Sequence, residues 1–141
     1  MPHPDPRATG FTLTELMIAL TVAGVLAALA YPAYTTHTGR ARRDDGRQAL
    51  LVLTQRMEQH RERAGTYVGA QVGPGGLMPE ISPGGHYRLT VLDASADSYR
   101  LAALPQGVQA EDSCATLTLD HLGTTAATGH GASAGTGRCW P

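Results

Sequence analysis

A chain of 141 residues in which glycine and proline together number 26, with one Phe and one Trp, has room for one small globular core and excludes a large multidomain enzyme. Its formal net charge of −1 excludes bulk basicity as a route to nucleic acid. Charge is local instead: seven of the eleven cationic residues, all arginine, lie between Arg40 and Arg63, whereas after Tyr67 three arginines face six acids.

In chain order, residues 1–10 hold three prolines and no apolar run, so they cannot form the core of an ordinary secretory signal, in which the apolar region precedes the cut. The apolar part follows instead. Residues 11–31 would span about 31 Å as a helix, the thickness of a bilayer's hydrocarbon core. Glu15 is the only charge in that run, and a carboxylate in lipid costs on the order of 3 kcal/mol, so it needs a partner or a purpose. A competing cut after Ala28-Leu29-Ala30, with Arg7 as the positive flank, leaves Glu15 unexplained.

Gly24 and Pro32 are the helix breakers. Proline in a helix interior removes one backbone hydrogen bond and crowds the preceding turn, so Pro32 is predicted to kink or locally melt the helix. Alternatively the helix ends at Tyr31, because Thr35, Thr36 and Thr38 are poor helix formers, and Gly39 and Gly46 weaken it further. From Asp44 the spacing of Leu50, Leu53, Met57, His60 and Ala64 predicts one apolar helix face. Asp44 or Asp45 is placed to cap a restart, and Gly65 to end the helix. Residues 66–85 read as a glycine-rich loop with two Pro-Gly turns and with Tyr67 and Val68 as anchors. Strand-like runs follow at 86–92, 98–104 and 115–120, the first two joined by a hairpin at 93–97, with a short fourth strand near 124–128. The expected class is α+β: a long N-terminal helix, apolar in its first half and amphipathic in its second, packed on a small antiparallel sheet of three to four strands. The expected segments are a leader at 1–10, an apolar transmembrane helix at 11–35, an amphipathic helix at 36–65, the loop at 66–85 and the sheet region at 86–141. Cys114 and Cys139 form an even pair behind an export-type N-terminus, read as a disulfide in an oxidising compartment against two free buried thiols.

Chemical motifs are few. Gly131-Ala132-Ser133-Ala134-Gly135 matches the nucleophile-elbow pattern GxSxG, but no buried strand precedes it and neither an acid nor a histidine follows it. Six scattered histidines include no HExxH, and residues 73–76 lack the Lys of a phosphate loop, so no metal, cofactor or catalysis is expected. Arg40, Arg42, Arg43 and Arg47 have three readings: a juxtamembrane anchor, a solvated face interleaved with Asp44 and Asp45, or a phosphate-contacting stripe for DNA with Tyr31 and Tyr34 nearby.

The leader ending in Gly10, then Phe11-Thr12-Leu13-Thr14-Glu15-Leu16-Met17-Ile18, then Gly24 and Pro32, resembles the class III signal and N-terminal helix of type IV pilins. The ending Arg138-Cys139-Trp140-Pro141, with Asp112-Ser113-Cys114 upstream, is similar to the small minor pilins. The resemblance implies a prepilin peptidase cutting between Gly10 and Phe11 and methylating the new amine of Phe11. It implies that Glu15 pairs with a neighbouring subunit's N-terminus, that the helix bends or melts at Gly24 and Pro32, and that Cys114 and Cys139 close a C-terminal region. The implied partners are other pilin subunits, inner-membrane assembly machinery and the lipid bilayer. The protein would sit in the inner membrane as a single-pass protein with its C-terminal domain periplasmic, and then in an extracellular pilus serving adhesion, twitching motility or DNA uptake. The rivals are a type II secretion pseudopilin, a DNA-receptor pilin of a competence pilus, and a secreted hydrolase that would need Ser133.

Overall fold

The computed structural model describes residues 10–129 and 138–140, and its contacts divide the chain into two units between His37 and Thr38. Residues 1–9 of the leader and the Ser133 motif lie outside the described residues. One helix, α1 (Leu13–Ala64), runs through both units, so the alternative end at Tyr31 does not hold and no restart occurs at Asp44 or Asp45. It passes Gly24 and Pro32 without a break in helical assignment. Gly65 ends it as expected: its φ of 73° suits glycine, and its N–H reaches the Arg61 carbonyl at 2.7 Å.

Leu13–Tyr31 is one helical stretch long and apolar enough to cross a membrane, and none of it is buried within the chain.

In the second unit the apolar face of α1 is real but shifted. Leu50, Leu53 and Met57 are fully buried, whereas His60 is half-buried, donating from Nε2 to the Val68 carbonyl at 3.3 Å, and Ala64 is exposed. The face begins earlier than expected, at Gly46 and Ala49. Gly46 is a contact point: a Cβ there would lie 2.7 Å from the Tyr87 ring, so the missing side chain lets the ring rest on the helix backbone. Asp45 clamps the glycine-rich loop, its carboxylate accepting from Ser82 Oγ at 2.6 Å and Gly84 N–H at 2.8 Å, while Ser82 Oγ accepts the Tyr87 N–H at 3.0 Å.

The sheet is an antiparallel meander of β1 (Tyr87–Ala94), β2 (Tyr99–Pro105), β3 (Leu117–Asp120) and β4 (Thr125–Ala127), paired in that order. Leu89, Ala103 and Leu117 pair in register to form one inward row, with Leu101 and Leu119 in the next. These rows join Leu50, Leu53 and Met57 in one core. The fourth strand forms, pairing Thr125 with Leu119.

Two boundaries move. β1 runs on to Ala94 past an irregularity between Val91 and Asp93, so the turn sits at Ser95–Ser98, where Ser95 Oγ meets Ser98 Oγ at 2.7 Å. β3 starts at Leu117 because Ala115 has φ 49°, outside the strand region. A 3-10 helix, Gly107–Glu111, was not predicted; it buries Gln109, whose amide donates to the Tyr87 hydroxyl at 3.1 Å. Cys114 and Cys139 are disulfide-bonded and both buried, as expected.

Candidate assembly segment and basic surface

The N-terminal turn explains part of the Glu15 anomaly. Thr12 and Glu15 form a reciprocal cap: Glu15 Oε2 accepts the Thr12 N–H at 3.0 Å, and Thr12 Oγ1 accepts the Glu15 N–H at 3.3 Å. Thr12 Oγ1 also lies 2.9 Å from Oε2. A carboxylate in the first turn also faces the positive end of the helix dipole, so it belongs there electrostatically. The signal was present in the sequence as Thr-x-x-Glu ahead of an apolar run. Both Thr12 bonds go to Oε2, and Oε1 has no partner among the described residues.

Gly10 and Gly24 meet nothing within 4 Å if given a Cβ, so packing within the chain demands neither glycine. Phe11 is 90% exposed. The hydroxyl of Thr21 in the apolar run donates to the Met17 carbonyl at 2.7 Å, which satisfies it without water.

The four arginines separate into two pairs. Arg43 is held by Asp112 in a bidentate pair at 2.8 and 2.6 Å, with side chains 14% and 9% exposed, and Nη1 also reaches the Arg138 carbonyl at 3.3 Å. The hydrogen bonds that Arg43 donates to the Asp112 carboxylate raise its pKa above the ordinary value, outweighing desolvation. Arg47 pairs with Asp44 at 3.0 Å, and its Nε is buried without a partner among the described residues. Arg40 is exposed and Arg42 half-buried, and neither has an ion-pair partner among the described residues. Arg138, noted in the sequence as part of the C-terminal ending and not among the basic stripe, is exposed, and its carbonyl accepts from Arg43.

At the opposite end of the α1 face, Glu58 accepts the hydroxyls of Tyr67 at 2.9 Å and Tyr99 at 3.1 Å, and the two rings meet edge-on at 4.8 Å. Burial pushes the Tyr99 hydroxyl up to about 12, so it stays a donor to Glu58 across physiological pH. Among the described residues no three His, Cys, Asp or Glu side chains converge as metal ligands would.

The family model described as "Type IV minor pilin ComP, DNA uptake sequence receptor" matches residues 32–118, and that of the prokaryotic N-terminal methylation motif matches residues 5–31. A fimbrial protein of Dichelobacter nodosus is 32% identical over 94 residues, 67% of this chain and 58% of that protein. The type IV major pilin protein PilE1 of Neisseria gonorrhoeae is 59% identical over 32 residues, 23% of this chain and 19% of that protein. The chain thus spans less than two thirds of the length of these relatives. The crystal structure of the non-core minor pilin PilV of Neisseria meningitidis superposes with a TM-score of 0.55 at 26% identity, covering 66% of this chain and 89% of that one.

Proposed function

The chain belongs to the type IV minor pilin family whose model it matches over residues 32–118, and from that membership we propose that it is the DNA-capturing subunit of a competence pilus. The family match carries this reading, since that family's own description is of a DNA uptake sequence receptor. Charge on the second unit supports capture by a patch, not by net charge: from Thr38 onward ten arginines balance ten carboxylates. Arg40, Arg42 and Arg138 are the cations at one end of the unit that have no acid partner among the described residues. Three phosphate contacts would give a log affinity against log salt slope of about −2.7 for duplex DNA. Arg40→Ala with Arg42→Ala should reduce that slope by about 2 and weaken binding on all sequences alike, measured on the detergent-solubilised full-length chain. Unchanged, salt-resistant binding would remove this patch from the reading.

Incorporation into the filament follows from the N-terminal segment. We infer cleavage between Gly10 and Phe11 by a prepilin peptidase, methylation of the Phe11 amine, and residence in the inner membrane with the second unit periplasmic until assembly. The match to the methylation motif and the uncovered apolar helix support it. Glu15 then has two tasks: Oε2 caps its own helix and Oε1 receives a neighbouring subunit's amine, a pairing that low dielectric strengthens. Gly24 and Pro32 are the positions at which α1 would bend within a filament. Two variants separate the tasks. Glu15→Gln keeps the cap but loses the charge, and Glu15→Ala loses both. Both should be processed and retained in the membrane yet fall at least about tenfold in sheared pili, the equivalent of about 1.4 kcal/mol. Normal incorporation of Glu15→Gln would reduce Glu15 to its capping role.

A further inference from the structure

The sheet has one edge that the chain covers only along its first half. β1 is an outer strand, and residues 80–82 run antiparallel beside its beginning. The Tyr87 carbonyl accepts the Ser82 N–H at 2.9 Å, the Leu89 N–H donates to the Glu80 carbonyl at 2.6 Å, and Ile81 pairs with Arg88. Before Glu80 the chain leaves the edge: the Met78 carbonyl accepts the Gly73 N–H at 2.9 Å, so residues 73–78 fold on themselves. Beside the second half of β1 lies an open slot of about 560 Å³, walled by residues 90–94 on one side and residues 69–72 on the other. The alternation that turns the main-chain groups of Tyr87 and Leu89 away from β2 turns those of Val91 the same way, and no hydrogen bond joins them to the facing loop. The slot continues the line that residues 80–82 begin.

Its lining sets the chemistry of an occupant. An open strand edge is matched by another extended backbone, which is how sheets take up peptides. Side chains along such a segment alternate between two faces. One set meets Ala70, which is buried, and the half-buried Val72 and Val91, so it is small and apolar. The other stands beside Leu92, 54% exposed, and Asp93. Glu80 and Arg88 neutralise each other at 3.2 Å, whereas Asp93 has no ion-pair partner among the described residues. The uncompensated charge is therefore negative and favours a cation. The register shift between Val91 and Asp93 keeps regular pairing short, so these side-chain contacts supply the specificity. The ends of the chain on either side of residues 130–137 are tied at the opposite edge of the sheet, Gly129 N–H to the Cys114 carbonyl at 3.1 Å and the Trp140 indole to Ala126 in β4 at 2.9 Å.

We propose that the slot takes a short extended segment of a different protein, about four residues long, which adds to β1 as an antiparallel strand. Its small apolar side chains turn toward Ala70, Val72 and Val91, and a Lys or Arg stands beside Asp93. The site uses none of the arginines assigned to DNA capture.

A phage-displayed library of octapeptides, panned against the full-length chain in detergent, tests this. Enriched sequences should alternate apolar with polar residues and carry Lys or Arg at one fixed polar position. In a synthetic enriched peptide, methylating single backbone amides should lower affinity at least about tenfold at every second residue and have little effect at the others, because only alternate amides face β1. Asp93→Lys, at an exposed position, should lower affinity for the same peptide about tenfold and shift enrichment to Asp or Glu at that place. An intact Cys114–Cys139 bond and unchanged thermal midpoint confirm that this variant is folded. Absence of enrichment, a response to amide methylation without alternation, or indifference to Asp93→Lys would overturn the proposal. So would a chain that takes no peptide and instead self-associates through this edge.

Discussion

Replacing Cys114 and Cys139 by serine is expected to lower the stability of the second unit by about 3–4 kcal/mol, a fall in thermal midpoint of roughly 15–25 °C for a unit of this size. The magnitude follows from the separation of 25 residues that the bridge closes, which costs chain entropy only in the unfolded state. Native contacts would also loosen. The bridged segment carries the Gly129 N–H bond to the Cys114 carbonyl at 3.1 Å, the Trp140 bond to Ala126, and the Arg138 carbonyl that receives Arg43. With an aromatic-poor core and a total stability of roughly 5–15 kcal/mol for an ordinary domain, this one bridge is a large fraction. Urea unfolding of the full-length chain in detergent, with and without reductant, measures it. A change under about 1 kcal/mol would mean that the closed ring is held by its other contacts.

The second large effect falls on Arg43 and Asp112. Asp112→Ala should destabilise by about 3 kcal/mol, because it strands a guanidinium that is mostly removed from water; the pair keeps an edge to solvent, which favours the low end of the range. Arg43→Ala should cost a similar amount by stranding Asp112 and freeing the Arg138 carbonyl. The double variant Arg43→Met with Asp112→Leu should recover most of the loss, since two apolar side chains of similar size need no partner. If the double variant is as unstable as the singles, the pair contributes through geometry that its apolar replacements cannot reproduce. Either way, loss of DNA binding after substitution of Arg43 would report on folding first.

Where a pattern is local, the sequence carries it. Leu50, Leu53 and Met57 reveal their face through a period of about 3.6 residues, and Leu89 and Val91 reveal a strand through alternation. The Thr12–Glu15 cap was equally local, but the carboxylate reads as an oddity in lipid until the helix start is seen. What stayed hidden depends on distant partners. Asp45 resembles a helix cap, yet its partners Ser82 and Gly84 lie 37 and 39 residues away. Arg43 belongs to a basic run in sequence and to Asp112, 69 residues on, in space. Gly46 reads as a weak point in a helix because nothing local announces Tyr87.

Those three residues, Arg43, Asp45 and Gly46, lie within one turn of α1 and grip parts of the chain far apart in sequence. That clustering decides how the second unit answers a force applied along α1. A force along α1 would load the Asp112 pair, the Ser82–Gly84 clamp and the Tyr87 contact from one turn of helix, so the three would share it. Forced unfolding is governed by the unfolding rate and not by the equilibrium, so this grip would resist pulling well beyond what the modest core predicts.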